Sequence, residues 1–91
     1  MTTMRRWSVE IYIDEHEESG LTHAEARLHT NDRTHLLGQG DAHRNPTDDQ
    51  VAEIGDELAV ARALSDLSHQ LVHAVAGDLE DVAKRFGSAA H

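Results

Sequence analysis

Three groups of acidic and histidine side chains have a spacing that could support chemistry in this chain. The first centres on Glu57, which falls among apolar residues when residues 53–75 are placed on a helical wheel. A carboxylate that faces a core must be paired, protonated or near the rim, because an unpaired buried charge is very costly. His43 and Arg44 are the expected partners. Glu57 is therefore either a tuned acid in an anion or substrate site, or a carboxylate that interacts with the N-terminal dipole of its own helix.

The second group is Asp66, His69 and His73, at positions i, i+3 and i+7 of the same predicted helix. This spacing places one carboxylate and two imidazoles on one helical face, where they could bind a divalent metal ion. A metal site also needs surrounding groups that orient its ligands, and an open helical surface offers none. We therefore expect a solvated face, and we assign no metal and no cofactor to this chain.

The third group is Asp14, His23 and Asp41, which fall in one row on the outer face of a predicted sheet if the third strand pairs so that Asp41 neighbours His23. A histidine between two carboxylates could act as a general base with a raised pKa. The row contains no Ser or Cys nucleophile, however, and an open sheet desolvates its side chains little. The alternatives are a solvated ladder of charges or, because Tyr12 and Leu37 share this face, a contact between subunits. We assign no catalytic residue.

Three strands and one long helix are the elements that would position these groups. Segments with the apolar-polar alternation of a strand are residues 6–14, 21–30 and 34–43. Residues 53–76 have apolar side chains at helical spacing, and the helix continues or restarts towards residue 86, before a loose tail at 87–91. We predict an α+β fold in a single domain over residues 1–91. It is a three-stranded antiparallel meander packed on one long C-terminal helix.

Charges and glycines refine this arrangement. Antiparallel pairing of the first two strands with Asp14 opposite His23 keeps acids away from acids, whereas a slip by two residues opposes Glu10 with Glu25. Glycines in the third strand let a helix backbone approach closely. The apolar arc of the helix is wider than three short strands rich in alanine and glycine can cover. This excess predicts self-association.

The composition excludes several classes of partner. The chain has 17 acidic residues against eight Lys plus Arg and a formal net charge of -9, so it repels phosphate backbones and anionic lipid. It has no cysteine, which removes disulfides, zinc-thiolate sites and cysteine nucleophiles and fits a reducing cytoplasm. No apolar run reaches the roughly 18–20 residues needed to cross a bilayer. We expect a cytoplasmic protein that binds neither nucleic acid nor membrane.

Several short segments resemble a known family. Residues 45–48 (NPTD), 54–59 (IGDELA) and 62–67 (RALSDL), with the glycine pair of the third strand, are similar to the family called domain of unknown function 1876. Its members are small uncharacterised actinobacterial proteins. The resemblance implies a compact fold similar to a double-stranded-RNA-binding domain without its first helix. It implies no known activity, cofactor or catalytic residue.

The start of the helix argues against RNA binding in spite of this resemblance. In double-stranded-RNA binders the final helix begins with a lysine cluster that follows the phosphates. The corresponding positions here carry Glu53, Asp56 and Glu57, which repel phosphate. The leading hypothesis is a non-enzymatic, self-associating interaction or regulatory module, with a dimer as the expected assembly. The alternative is a small ligand-binding protein or enzyme that uses Glu57 with Arg44, or the histidine-rich outer sheet face, on an unknown small molecule.

Overall fold

The computed structural model describes residues 2–31, 35–43 and 52–87. Four elements lie within them: β1 (Ser8–His16), β2 (Leu21–His29), β3 (His35–His43) and α1 (Ala52–Gly87). The strands form one antiparallel sheet in the order β1-β2-β3, and α1 packs on one face of it. The predicted α+β class, a three-stranded meander followed by one long C-terminal helix, is confirmed.

The β1–β2 hairpin has the register that the charges predicted. Asp14 lies opposite His23, so Glu10 and Glu25 are not directly opposed. The hairpin turn ends at Gly20, whose φ of 71° lies in the left-handed region that glycine adopts without strain. The N–H of Gly20 donates to the carbonyl oxygen of His16 at 2.8 Å, which closes the turn. The strands are nine residues each, and β1 starts two residues later than predicted.

The core between the sheet and α1 is built mainly from small residues. The buried apolar side chains of the described residues are Ala24, Ala26, Leu28, Ala42, Ala59, Ala63 and Leu67. Two glycines of β3 make this close packing possible. A Cβ added at Gly38 would overlap the carbonyl oxygen of Ala63, and one added at Gly40 would overlap that of Ala59. The backbone of α1 therefore lies directly on β3.

The face of α1 that meets the sheet is rotated from the predicted one. On a helical wheel the large apolar residues of α1 form one arc around Leu64, which predicts that this arc faces the sheet, but the side chains of Ile54, Leu64, Val72 and Val75 are all exposed. Leu67 of the predicted arc is buried, and Val60 and Leu71 are partly buried against the core, but the other buried positions are Ala59 and Ala63, which lay outside the arc. Only small side chains fit where two backbones touch, so alanines lie against the glycines of β3. A helical wheel ranked by hydrophobicity favours the larger side chains, and it therefore predicted the wrong centre for the buried face of α1.

The helix is much longer than the sheet. It runs without a break from Ala52 to Gly87, through Gly77, over 36 residues, which corresponds to about 54 Å, whereas a nine-residue strand spans about 30 Å. The chain measures 64 × 34 × 18 Å with a radius of gyration of 18.7 Å, against about 12 Å for a compact domain of this length. The C-terminal half of α1 therefore extends beyond the sheet. Residues 88–91 of the predicted tail lie outside the described residues.

Candidate functional site

The outer face of the sheet carries the predicted row of Asp14, His23 and Asp41. The strand pairing places His23 on the central strand, opposite Asp14 on β1 and opposite Asp41 on β3. Nδ1 of His23 lies 2.5 Å from Oδ1 of Asp41, and Nε2 lies 3.6 Å from Oε1 of Glu25. Because a carboxylate only accepts, Nδ1 carries the proton and donates. Within the described residues the imidazole is thus paired with the β3 carboxylate and not with Asp14.

This pairing changes the acidity of the imidazole. The hydrogen bond to Asp41 raises the pKa of His23 above its ordinary value, because it stabilises the protonated ring. Partial burial opposes this effect, and the negative charges of Asp41 and Glu25 add to it. The side chain of His23 is 26% exposed, so water still reaches the ring. The arrangement gives a histidine that holds a proton more firmly than usual.

A second cluster adjoins His23 on the same face. Nη2 of Arg27 donates to Oε2 of Glu25 at 2.9 Å, and the guanidinium lies 4.1 Å from the centroid of the Tyr12 ring. The hydroxyl of Tyr12 donates to Oε2 of Glu10 at 2.6 Å. The hydrogen bond from Arg27 lowers the pKa of Glu25, and the one to Glu10 raises the pKa of Tyr12. The register sets Glu10 opposite Arg27, but the guanidinium contacts the diagonal residue Tyr12, and sequence reasoning missed this contact.

The two clusters border a shallow depression of about 270 Å³ on the open sheet. It is lined by Tyr12, Ile13, Asp14, His23, Glu25 and Arg27. The lining has no serine, threonine or cysteine hydroxyl or thiol that His23 could activate. Most of its polar groups are already paired with one another. The chemistry available here is weak binding of a small polar ligand, since a ligand would have to displace existing ion pairs.

The Glu57 group does not form the expected buried site in the single chain. The side chain of Glu57 is exposed, as is that of His43 at the end of β3, and Arg44 lies outside the described residues. The prediction of a buried acid at Glu57 is therefore wrong for this chain, because the rotation of α1 turns Glu57 away from the sheet. Its neighbour Asp56 is half-buried, and its Oδ1 is buried with no hydrogen-bond partner among the described residues.

The predicted metal candidates on α1 are engaged in other contacts. Oδ2 of Asp66 accepts from the backbone N–H of Gln39 at 2.9 Å and from Nε2 of Gln70 at 3.2 Å. Nδ1 of His69 lies 2.8 Å from the carbonyl oxygen of Ser65, to which it donates. His73 is exposed. Within the described residues, no group of three or more His, Asp or Glu side chains could hold a metal ion.

Asp66 instead belongs to a set of three α1 side chains that bind the free edge of β3. Nη1 of Arg62 donates to the carbonyl oxygen of Asp41 at 2.6 Å, and Nε2 of Gln70 donates to that of Leu37 at 2.5 Å. With the Asp66 bond to Gln39, three alternate residues of β3 are satisfied by side chains four residues apart on α1. We call Arg62, Asp66 and Gln70 the β3 edge cap. Its only sequence signal is a polar stripe at i, i+4 and i+8.

Among the described residues, large apolar side chains are exposed at Ile54, Leu58 and Leu64 on α1 and also in two further rows. The β1 row is Trp7, Val9, Ile11 and Ile13, which lie on the face of the sheet that α1 covers elsewhere and are 38–52% exposed. The distal helix row is Val72, Val75, Leu79 and Val82, on the part of α1 beyond the sheet, and these residues are 47–66% exposed. Despite these apolar residues, no helix in the described part of the chain is long and apolar enough to cross a membrane.

The fold and its surfaces define a class of protein in which a three-stranded sheet is only partly covered by one long helix. Residues 5–87 match the family described as Rv2632c-like, and the chain belongs to that family. The narrower family name suggested by the helix motif, and the likeness to an RNA-binding fold, stay predictions.

Mycobacterial proteins are among the similar ones. "Uncharacterized protein Mb1767" of Mycobacterium bovis is 51% identical over 79 residues, which cover 87% of this chain and 81% of that protein. "Uncharacterized protein Rv2632c" of Mycobacterium tuberculosis is 47% identical over 72 residues, or 79% of this chain and 74% of its own length. A solved structure described as "Crystal Structure of Rv2632c" superposes with a TM-score of 0.79 at 41% identity, over 89% of this chain and 93% of that one.

Proposed function

We propose that this protein is a non-enzymatic interaction module of the cytoplasm that works by self-association, with a dimer as its basic assembly. The observation that supports it is the uncovered β1 row, where three strand residues and Trp7 face the side of the sheet on which a core should lie. Soluble monomers rarely leave contiguous apolar surface above roughly a few hundred Å². A second copy of the same chain is always present and can cover this surface in a symmetric dimer.

The charge of the chain restricts where two copies can meet. Each copy has a formal charge of -9, so contact through the acidic outer face would bring like charges together. The inner face of β1 carries Val9, Ile11 and Ile13 and is free of charge along that stretch. Burial of apolar area there contributes about 25 cal/mol for each Å². Association through the β1 row therefore gains apolar burial where electrostatic repulsion is smallest.

Light scattering coupled to gel filtration tests this proposal. The native chain should elute with about twice its monomer mass of 10.1 kDa, and Ile11→Lys should reduce the mass to that of a monomer. Ser8→Lys is the matched control, because it adds the same charge to β1 on the opposite face and should remain dimeric. Leu79→Glu tests the distal helix row separately, and a retained dimer there assigns association to the β1 row. A native chain that stays monomeric at high micromolar concentration would defeat the proposal.

A second candidate function is weak binding of a small ligand on the outer sheet face. The depression beside the Arg27–Tyr12 contact and the His23–Asp41 pair favours it. The other version of this idea, which uses Glu57 with Arg44, loses support because Glu57 is exposed. Titration of small anions and aromatic acids into isotope-labelled protein should shift the NMR signals of Tyr12 and His23. The absence of shifts at millimolar ligand removes this candidate.

Nucleic-acid binding is not part of the proposal. The N-terminal part of α1 carries Glu53, Asp56 and Glu57, where phosphate recognition would need positive charge. We expect no shift of duplex RNA in a gel at low salt. A shift that vanished at higher salt would contradict this expectation.

A further inference from the structure

The two free edges of the sheet differ in how their backbone groups are satisfied. In an antiparallel sheet, the N–H and C=O groups of alternate residues point to opposite sides of a strand. On β3 the groups of Leu37, Gln39 and Asp41 point away from β2, and the β3 edge cap binds one group of each. The register then fixes which groups of β1 point outwards.

The outward-pointing groups of β1 follow from two pairings. Leu37 points away from β2, so its partner Arg27 points away from β3 and towards β1. Arg27 is paired with Glu10, whose backbone groups therefore point to β2. The groups of Val9, Ile11 and Ile13 must point to the free edge. Within the described residues, no side chain or backbone group binds them.

The free edge of β1 also carries exposed apolar side chains at these same positions. Native proteins protect edge strands with charges, proline, bulges or a covering element. The described part of β1 is a nine-residue strand without proline, and its charged residues Glu10, Asp14 and Glu15 are not at Val9, Ile11 or Ile13. The helix α1 packs mainly against β3 and β2 and covers β1 least. An edge with unpaired backbone groups and apolar side chains is suited to receive another strand.

We infer that two copies of this chain join through their β1 edges, as an antiparallel pair that makes one continuous six-stranded sheet. Ile11 of one copy lies opposite Ile11 of the other. This inference rests on the proposed self-association and specifies its geometry. The resulting strand order is β3-β2-β1-β1-β2-β3, with the β3 edge cap closing both outer edges. A two-fold axis through Ile11 makes the assembly closed, so it does not grow into a fibre.

The side chains of β1 select this register over its neighbours. With Ile11 opposite Ile11, Val9 faces Ile13 and the outer face sets Glu10 opposite Tyr12. A shift that aligns Ile11 with Ile13 sets Glu10 opposite Asp14, and the shift that aligns Val9 with Ile11 sets Glu10 opposite itself; like charges at such positions are destabilising. A shift that aligns Ile13 with itself sets Ile11 opposite Glu15. Of these four registers, only the proposed one pairs Val9, Ile11 and Ile13 with one another and opposes no two acids.

Disulfide trapping tests both the pairing of the β1 edges and its register. The chain has no native cysteine, so any disulfide must form at the introduced position. Ile11→Cys should form a covalent dimer under mild oxidation, since opposed residues of this kind have Cα atoms about 5.5 Å apart, within the range of a disulfide. Val9→Cys and Ile13→Cys alone should not. In a dimer of either variant, the cysteines of the two copies are offset by four residues along the paired strands, or about 13 Å. An equimolar mixture of Val9→Cys and Ile13→Cys chains should form the mixed covalent dimer.

The outcomes separate this inference from the proposed function. A native dimer by light scattering whose Ile11→Cys variant resists cross-linking overturns edge pairing and leaves self-association standing. A monomeric native chain overturns both. Cross-linking of Ile13→Cys alone, without Ile11→Cys, overturns the register. Far-ultraviolet circular dichroism on each variant establishes that the exposed substitutions leave the fold intact.

Hydrogen exchange gives a readout that needs no substitution. The amides of Val9, Ile11 and Ile13 should exchange slowly at high protein concentration and become fast on dilution below the dissociation constant, because they are bonded only in the assembly. The amide of Tyr12, which points to β2, should remain protected at both concentrations. Fast exchange of Ile11 in the concentrated dimer would overturn the inference.

Discussion

The two edge strands of this sheet have opposite designs. β3 presents Gly38, Gly40 and Ala42 to the helix and is covered along its length, whereas β1 presents Val9, Ile11 and Ile13 and is left open. Large hydrophobic side chains of the sheet thus lie where α1 covers it least. The difference shows that side-chain volume, more than hydrophobicity, decides where α1 lies.

The position of the helix then determines the fate of both edges. Because Gly38 and Gly40 bring the backbone of α1 onto β3, the polar side chains of the β3 edge cap reach the backbone groups of that strand. The same displacement carries α1 away from β1. Protection of one edge and exposure of the other are therefore two consequences of one packing contact. Substitutions at the glycine contact, at the β3 edge cap and at the His23–Asp41 pair that links β2 to β3 can break this relation.

The largest effect is expected when the glycine contact is filled. Gly40→Val places a side chain where the carbonyl oxygen of Ala59 lies, and neither backbone can move without losing the core. We expect the free energy of unfolding to fall by about 3 kcal/mol or more, measured by urea denaturation at fixed protein concentration. Gly77→Ala is the matched control, because a Cβ there meets nothing within 4 Å and should stabilise the helix by up to about 1 kcal/mol. Equal destabilisation by both substitutions would refute the close contact.

A smaller effect is expected from the β3 edge cap. Asp66→Ala leaves the N–H of Gln39 without its acceptor, which should cost about 1 kcal/mol, and it opens an edge that can then pair with other chains. We expect species larger than the dimer in gel filtration. Asp66→Asn retains a carbonyl oxygen that can accept the bond and should show little of this change. If Asp66→Ala alters neither stability nor assembly size, the cap is not what protects β3.

The sequence predicted those features whose signals are local. Strand period and charge placed β1 opposite β2 correctly, because a wrong register would oppose Glu10 with Glu25. The sequence did not predict which face of α1 meets the sheet. Ranking residues by hydrophobicity favours Leu64 over Ala63, whereas the close contact with the glycines of β3 requires the alanine. The role of Asp66 was missed for a related reason. Its partner is a backbone N–H, which has no signature in a sequence.

The candidate sites follow the same rule. Charge placed Asp14 opposite His23, and Asp41 completed the row only on the condition that the third strand paired as the structure has it. The choice of Asp41 over Asp14 as the hydrogen-bond partner depends on side-chain geometry. The burial of Glu57 was mispredicted because it depended on the rotation of α1. The error in the predicted buried face of α1 therefore also caused the error in the expected environment of Glu57.

The smallest effect on stability is expected from the pair formed by His23 and Asp41. Its loss would show whether the central strand is bound to β3 more firmly than to β1. The hydrogen bond to Asp41 raises the pKa of His23 in the folded chain. Its stabilisation is therefore complete below the unfolded-state pKa of about 6.5, and is lost as pH rises through the folded-state pKa.

Asp41→Asn should lower the pKa of His23, followed by NMR titration of the ring. It should also lower the free energy of unfolding, relative to the native chain, more near pH 5.5 than near pH 8. Asp14→Asn makes the same charge change on the β1 side and should leave the His23 titration nearly unchanged, because the imidazole donates to Asp41. If both variants lower the pKa of His23 equally, the ring senses the general negative charge of the face, and the preference of the central strand for β3 disappears.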